Sequence, residues 1–266
     1  MLRRPLFMKT VLITGASSGI GKEFAEIFAS EGYQVILASR SEEKLNEVAS
    51  YLLESYRTET VIIPVDLAQY DGARLLYEEV KRRSLEVDVL INNAGIGSYG
   101  FLHKLDVQSE LDMLQLNVHS LSHLMMLFLR DMVARNNGYI LNVGSTTSFY
   151  ACPLSANYSA SKAFVLSLTE AVANELAGTG VSVTALCPGG TGTAFFQKAK
   201  MDKQRVAKPK SLMQANKVAR VGYNALMQRK TFVIPGLQNW LLAQAPRIFP
   251  RKLTTSVTRK VLEQTQ

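Results

Sequence analysis

Tyr158 and Lys162 are the residues whose types and spacing most directly suggest chemistry, because they stand four positions apart in the segment YSASK. On a helix, residues four apart share a face, with Cβ atoms about 5–6 Å apart. An unperturbed tyrosine has a pKa of about 10, and a neighbouring ammonium group lowers that pKa by stabilising the phenolate. The pair is therefore a candidate proton donor and acceptor, although the same spacing alone also fits an exposed helix face.

A glycine-rich turn provides a candidate phosphate site. Gly15, Gly19 and Gly21 lie in the segment TGASSGIG, after the first predicted strand and at the start of the first predicted helix. Glycines let the backbone approach a pyrophosphate, and the helix N-terminus offers unpaired N–H groups and the positive end of the helix dipole. The alternative is a turn without a ligand, but the strand–turn–helix context favours phosphate binding.

Three further strand ends carry residues that suit a dinucleotide. Ser39 and Arg40 stand where a carboxylate usually binds the adenosine ribose of NAD. An arginine at this place suits the 2′-phosphate of NADP(H). The alternative is that Arg40 points into water. Asp66 is placed to accept a hydrogen bond from an adenine amino group, or equally to be the N-cap of the next helix. Residues 92–95, with the sequence NNAG, leave room for a ligand beside the backbone or form a plain turn.

These candidates follow strands in a chain that alternates between β-rich runs and helical patterns. Seven strands separated by six helices predict a doubly wound α/β fold of the Rossmann type, with a parallel sheet covered on both faces. The 266 residues fit one such domain. In such sheets ligands bind outside the carboxyl ends of the strands. The predicted strands are Thr10–Thr14, Gln34–Ser39, Thr60–Val65, Asp88–Ile91, Tyr139–Val143, Ser182–Leu186 and Thr231–Ile234, and the predicted helices are Ile20–Ser30, Glu42–Tyr56, Gln69–Arg83, Leu105–Arg135, Tyr158–Leu176 and Ala215–Gln228.

Composition and charge narrow the classes of protein. The net charge is +8, and residues 198–266 hold 15 Lys and Arg against two acids. Nucleic-acid binding is not expected, because this basic part lacks an aromatic–basic recognition motif. Two cysteines do not suggest a disulfide framework. No apolar run reaches the roughly 18 residues that a membrane-spanning helix needs. We therefore expect a cytoplasmic protein. His119 and His123 share a helix face, but no third ligand completes a set, so no metal site is predicted.

Taken together, the motifs resemble those of the short-chain dehydrogenase/reductase family, in its compact single-domain branch. The resemblance runs from about Thr10 to Thr193 and includes the glycine turn, the NNAG run and the Tyr–Lys pair. It also includes Asn117, Ser145 thirteen residues before the tyrosine, and the Pro-Gly pair at 188–189. Each motif is common alone, and the combination is specific.

The resemblance implies hydride transfer between a nicotinamide cofactor and a carbonyl or alcohol. Tyr158 would protonate the substrate oxygen, and Ser145 would bind and position the carbonyl. Lys162 would hold the nicotinamide ribose and lower the pKa of the tyrosine, and Asn117 would support a water-linked proton path to Lys162. The residues expected to bind the cofactor are Gly15, Ser17, Ser18, Gly19, Ile20, Gly21, Ser39, Arg40, Asp66, Leu67, Asn93, Ala94, Gly95, Tyr158, Lys162, Pro188, Gly189, Thr191 and Thr193.

We therefore expect an NADP(H)-dependent reductase of a ketone or aldehyde. An NAD-dependent alcohol dehydrogenase is the enzymatic alternative, and a non-catalytic NADP sensor or membrane-peripheral scaffold is the alternative outside enzymes. Residues 193–212 are predicted to form a substrate lid. The segments expected to set specificity are Ile96–Phe101, Phe149–Leu154 and Thr193–Pro209, where Tyr99, Phe101, Phe149, Tyr150, Phe195 and Phe196 predict a largely apolar pocket.

The C-terminal extension, residues 236–266, mixes apolar and basic side chains. This pattern is typical of a surface that rests weakly on anionic lipid. The alternative is that its apolar residues cover the substrate cleft or contact a neighbouring subunit while its charges stay in water. The family resemblance also implies a homodimer or homotetramer.

Overall fold

The parallel sheet is built from strands whose residues are mostly apolar. The computed structural model of the protein describes residues 9–195 and 212–263. The strands of the described ranges are β1 (Thr10–Thr14), β2 (Gln34–Ser39), β3 (Thr60–Pro64), β4 (Val89–Asn92), β5 (Gly138–Val143), β6 (Val181–Leu186) and β7 (Phe232–Val233). They pair in parallel in the order β3-β2-β1-β4-β5-β6-β7.

Helices connect the strands and follow β7. They are α1 (Gly19–Ser30), α2 (Glu42–Tyr56), α3 (Gly72–Arg82), α4 (Val107–Leu114), α5 (Leu121–Ala134), α6 (Ala156–Glu175), α7 (Ala215–Met227), α8 (Leu237–Ile248) and α9 (Arg251–Glu263). One turn of π-helix, Gln115–Ser120, joins α4 to α5, and a short 3-10 helix spans Thr146–Phe149. Among the described helices, none combines the length and the apolar character that crossing a bilayer requires.

The core lies on both faces of the sheet. All five residues of β1 are buried, and alternate residues point to opposite faces. Val11 and Ile13 pack with α1, α2 and α7, whereas Leu12 packs on the face covered by α3, α5 and α6. The predicted doubly wound fold is confirmed, because a strand buried on both sides needs a helical layer on each.

The predicted strands are all present, and their ends differ from the prediction by at most one residue. The helix predicted from Leu105 begins two residues later, at Val107, because Asp106 accepts a hydrogen bond from the backbone N–H of Ser109 at 2.8 Å and so caps the helix. The prediction of one regular helix to Arg135 was wrong, because the π-helical turn interrupts it. The C-terminal extension forms two helices, α8 and α9.

The strand order creates a crevice for a ligand. The chain runs outward from β1 to β3 and then returns to β4 on the other side of β1. The connections that follow β1 and β4 therefore lead away in opposite directions and leave a gap between them at the carboxyl end of the sheet. The glycine turn lies at this point.

Candidate active site

A cleft of about 920 Å³ runs along the carboxyl ends of the strands. It is bordered by the glycine turn, by the ends of β2 to β6 and by α8 and α9. Of the predicted site residues, Gly21 and Asn117 do not line it. Those that line it are Gly15, Ser17, Ser18, Gly19, Ile20, Ser39, Arg40, Asp66, Leu67, Asn93, Ala94, Gly95, Ser145, Tyr158, Lys162, Pro188, Gly189, Thr191 and Thr193.

The glycine turn requires its glycines for two physical reasons. Gly15 and Gly19 have φ values of +64° and +56°, in the left-handed region that glycine adopts without a Cβ clash. A Cβ at Gly21 would lie 2.4 Å from the carbonyl oxygen of Gly15, so only glycine lets α1 start this close to the turn. The Asn93 side-chain amide donates to the carbonyl oxygens of Thr14 at 2.9 Å and Gly15 at 3.3 Å, which fixes the shape of the turn.

The end of β2 presents polar groups without protein partners. The hydroxyl oxygen of Ser39 is buried and has no hydrogen-bond partner within the described ranges. Arg40 is exposed, and neither it nor Lys44 forms an ion pair with another described residue. All three line the same part of the cleft. The contribution of Lys44 was not predicted, because its position one turn into α2 has no recognisable motif.

Asp66 lies in a turn and not at a helix end. Its carboxylate accepts a hydrogen bond from the backbone N–H of Ala68 at 3.0 Å. Helix α3 starts only at Gly72, and its N-cap is Asp71. The alternative prediction that Asp66 caps the next helix was therefore wrong, and the carboxylate borders the cleft instead.

Ser145 and Tyr158 bring two hydroxyl groups together in the cleft. Ser145 is the N-cap of the 3-10 helix, and its hydroxyl accepts from the backbone N–H of Thr147 at 3.1 Å. Burial raises the pKa of Tyr158 to about 12, and a hydrogen bond with the Ser145 side chain opposes this increase. A neutral phenol beside a second hydroxyl can donate a proton to an oxygen that both groups contact.

Lys162 lies below the tyrosine ring, with its Nζ 5.9 Å from the ring centroid. The ammonium donates to the carbonyl oxygen of Val143 at 2.8 Å. Desolvation lowers its pKa to about 8. The sequence predicted that this ammonium lowers the pKa of Tyr158, but in the structure burial dominates and the pKa of the phenol rises.

Asn117 lies within the π-helical turn and is fully buried. Its side-chain oxygen accepts from the backbone N–H of Ile96 at 3.1 Å, and its NH₂ group donates to the Ile96 carbonyl at 2.9 Å and to Ser161 at 3.1 Å. The side chain thus joins Ile96, in the loop after β4, to Ser161 of α6, which is next to Lys162 in the chain. The water-linked proton path stays a prediction.

Ser148 has a structural position that the sequence did not reveal. Its hydroxyl accepts from the backbone N–H of Ser145 at 3.2 Å and donates to the carbonyl oxygen of Lys162 at 2.7 Å. It therefore connects the turn that holds Ser145 to the helix that carries Tyr158. The sequence carries no local signal for this role, because the Lys162 carbonyl lies 14 positions further along the chain.

The substrate end of the cleft is apolar, but its lining differs from the prediction. Tyr150 and Phe195 line it, whereas Phe149 packs on Phe232 with ring centroids 5.9 Å apart. Phe196, and residues 196–211 of the predicted lid, lie outside the described residues. The remaining apolar lining comes from α8 and α9, through Leu242, Ala245, Pro246, Phe249, Leu253, Val257, Val261 and Leu262.

Two aromatic residues of the predicted pocket hold α9 in place. The Tyr99 hydroxyl donates to the carbonyl oxygen of Leu262 at 2.9 Å. The guanidinium of Arg259 lies 5.9 Å from the centroid of the Phe101 ring. The C-terminal helices therefore cover the substrate end of the cleft, as one of the two sequence alternatives proposed.

Comparison with known proteins supports the family resemblance. A family model described as short chain dehydrogenase matches residues 9–204. The chain belongs to the short-chain dehydrogenase family. This is a family of oxidoreductases that use NAD(P)(H), and the site described above is the part of the chain where that chemistry is expected.

Two curated relatives of this short-chain dehydrogenase have names that refer to a 3-oxoacyl-CoA and to a hydroxysteroid. One is very-long-chain 3-oxoacyl-CoA reductase-A of Danio rerio, which is 36% identical over 77% of this chain. The matched part of this chain spans only 63% of the length of that relative. The other is 7beta-hydroxysteroid dehydrogenase of Clostridium sardiniense, 32% identical over 84% of each protein.

Two solved short-chain dehydrogenases show the same fold with different cofactors. The enzyme from Sphingobium yanoikuyae, in complex with NADPH, is 28% identical, covers 90% of this chain and 93% of its own, and has a TM-score of 0.82. The enzyme from Burkholderia phymatum, in complex with NAD, is 25% identical, covers 92% of this chain and 95% of its own, and has a TM-score of 0.80. The family therefore does not decide between the two cofactors.

Proposed function

We propose that this protein is an NADP(H)-dependent reductase that converts an apolar ketone or aldehyde to the alcohol, with Tyr158 as the proton donor. The observation that carries the proposal is the convergence of Ser145, Tyr158 and Lys162 on the cleft that also contains the glycine turn. One end of this cleft suits a dinucleotide phosphate, and the other suits an apolar substrate.

The residues present fit a bound dinucleotide. Gly15 and Gly19 leave the backbone open beside the N-terminus of α1, where N–H groups attract a pyrophosphate. The unpartnered hydroxyl of Ser39 and the unpaired charges of Arg40 and Lys44 suit a phosphate at the adenosine ribose. When bound, the nicotinamide supplies the hydride.

The protein groups supply the proton and the positioning. With a pKa of about 12, the Tyr158 phenol keeps its proton at neutral pH, so it is a donor to a carbonyl that is being reduced. The Ser145 hydroxyl orients the same carbonyl oxygen. Lys162, with a pKa of about 8, remains largely an ammonium group at neutral pH and can bind the ribose hydroxyls.

The replacement of Tyr158 by phenylalanine tests the proton donor. We expect kcat to fall by at least about 100-fold, the lower end of what a positioned acid contributes, with unchanged NADPH binding by fluorescence. Tyr150→Phe is the matched control, because that phenol borders the same cleft but lies outside the Ser145–Tyr158 pair, and it should lose at most a few-fold. Retention of turnover in Tyr158→Phe would place the chemistry elsewhere.

The preference for NADPH is proposed from the end of β2. A hydrogen bond to a charged group contributes about 1.5–3 kcal/mol, so Arg40 alone corresponds to roughly a tenfold to hundredfold preference over NADH. We expect the ratio of kcat/KM for NADPH and NADH to fall by that factor in Arg40→Ala. A preference for NADH that this substitution leaves unchanged would favour an NAD-dependent alcohol dehydrogenase.

The substrate class is proposed from the apolar lining by Tyr150, Phe195 and the inner faces of α8 and α9. The names of the two relatives, which indicate long acyl chains and steroids, support the same class. A panel of ketones of increasing length, followed through NADPH absorbance, should give kcat/KM values that rise with apolar surface. Equal or higher values for small polar carbonyls would contradict this assignment.

A further inference from the structure

The outer side of α8 carries a row of exposed apolar side chains. Leu237 is 73% exposed, Trp240 47%, Leu241 56% and Ile248 76%. At about 100° per residue, these four lie within a stripe about 100° wide. We name them the outer stripe. The residues that line the cleft lie on another side of this helix. They are Leu242, Ala245 and Pro246 of α8 and Phe249 directly after its end.

Basic side chains surround the end of this stripe. Arg247, Arg251 and Lys252 are exposed and adjoin Ile248 in the chain. None of the three forms an ion pair with another described residue. Residues 237–263 contain five basic residues and one acid, Glu263, which pairs with Arg259 at 2.7 Å. The surface therefore combines uncovered apolar area with uncompensated positive charge.

The charges distinguish between two occupants of the stripe. A symmetric dimer buries the same patch of both copies, so it would bring two sets of the uncompensated charges of Arg247, Arg251 and Lys252 into one interface. An anionic bilayer offers acidic headgroups to the basic residues and an acyl region to the apolar ones. Tryptophan suits the boundary between the two, because it has an apolar body and a polar N–H group.

We propose that α8 and the start of α9 dock peripherally on an anionic lipid bilayer, with Trp240 and Ile248 in the boundary between headgroups and acyl chains. Because the other side of α8 lines the cleft, docking would hold the mouth of the cleft beside the lipid. The proposal concerns where the protein binds, and it does not depend on which substrate or cofactor the cleft accepts.

Trp240 provides the measurement, because it is the only tryptophan of the chain. The full-length protein is titrated with vesicles of phosphatidylcholine alone and of phosphatidylcholine mixed with phosphatidylglycerol. We expect a blue shift of the emission with the mixed vesicles at low salt, its loss at high salt, and quenching of the same emission by brominated acyl chains. Little or no shift is expected with phosphatidylcholine alone, because the attraction is electrostatic.

The double variant Arg251→Glu and Lys252→Glu tests the basic corner. Both residues lie in the first turn of α9, where acidic side chains favour the helix, so the variant should fold. Each basic residue near an anionic surface contributes about 1 kcal/mol, or about fivefold, so vesicle binding should weaken at least about 25-fold. The control is the double variant Lys217→Glu and Lys230→Glu, which changes the charge by the same amount at exposed sites outside α8 and α9. Lys217 lies in the first turn of α7, so this control also places an acid at a helix start. It should bind within a few-fold of the wild type.

Three results would overturn the proposal. The first is an unchanged Trp240 emission with anionic vesicles at low salt. The second is vesicle binding without quenching by brominated lipid, which would mean that the charges adsorb while the stripe stays in water. The third is a blue shift without vesicles that increases with protein concentration and accompanies dimerisation in sedimentation, which would assign the stripe to a second copy of the chain.

Discussion

Lys162→Met should make the protein more stable while it abolishes activity. Desolvation lowers the pKa of the buried ammonium from 10.5 to about 8, which corresponds to about 3 kcal/mol of unfavourable free energy at neutral pH. Methionine has a similar length and no charge, so it removes this cost. It also removes the donor to the Val143 carbonyl, at 2.8 Å in the wild type, which costs about 1–2 kcal/mol. The expected net gain at pH 7 is about 1–2 kcal/mol.

The pH dependence of this gain follows from the same pKa. Below about pH 8 the side chain is charged in both the folded and the unfolded protein, so the wild type carries the full desolvation cost. Between about pH 8 and 10.5 the folded protein releases the proton while the unfolded chain keeps it, so the wild type gains stability as the pH rises. The advantage of the variant should therefore disappear near pH 10.

Urea unfolding of both proteins at pH 7 and pH 10 measures this difference. Lys230→Met is the control, because that lysine is exposed and its replacement should give the same small effect at both pH values. A variant that is less stable than the wild type at pH 7 would refute the reasoning, and so would a stability difference that does not depend on pH. Either result would mean that the ammonium is solvated better than its burial indicates.

Two further predictions concern positions behind the cleft wall. Ser148→Ala leaves the buried backbone N–H of Ser145 without a partner and removes one of the donors to the Lys162 carbonyl, which keeps its bond within the helix. We expect the substitution to lower the free energy of unfolding by about 1–3 kcal/mol and to reduce kcat more than NADPH affinity. Ser182→Ala, which removes a buried hydroxyl that has no partner within the described ranges, should be close to neutral by the same urea assay. Gly21→Ala would bring a Cβ 2.4 Å from a backbone oxygen, so we expect NADPH binding, measured by fluorescence titration, to weaken at least tenfold. The control is Gly192→Ala, whose Cβ would meet its nearest atom at 3.7 Å and which should bind NADPH nearly as well as the wild type. Equal effects of either pair would contradict the packing described here.

The fold was predictable because the signal for each strand is local. A run such as TVLIT, apolar and bounded by turn residues, predicts a strand that is buried on both faces, and β1 is buried throughout. The alternation with helices then leaves few arrangements besides a doubly wound sheet. Helix ends were predicted less well: a sequence pattern does not show that Asp66 lies in a turn and that α3 starts only at Gly72.

The site was predictable where its motifs lie within one segment. The glycine turn and the Tyr158–Lys162 pair are such motifs, and both border the cleft. Ser148 could not be identified, because its role depends on a hydrogen bond to a residue 14 positions away. The direction of the Tyr158 pKa shift also could not be predicted, because burial is its largest cause and burial is a property of the folded protein.

The π-helical turn at Gln115–Ser120 has a consequence for how this region tolerates length changes. A π-helical turn holds one residue more than the α-helical turn it replaces. Deleting a single residue there would restore a regular helix without rotating α5 relative to α4, because the π-helical turn takes up its extra residue within one turn. Phe128 and Met132 would keep their places in the core, so a one-residue gap at this place should be tolerated better than a one-residue gap within α5, which would rotate the side chains that follow it by about 100°.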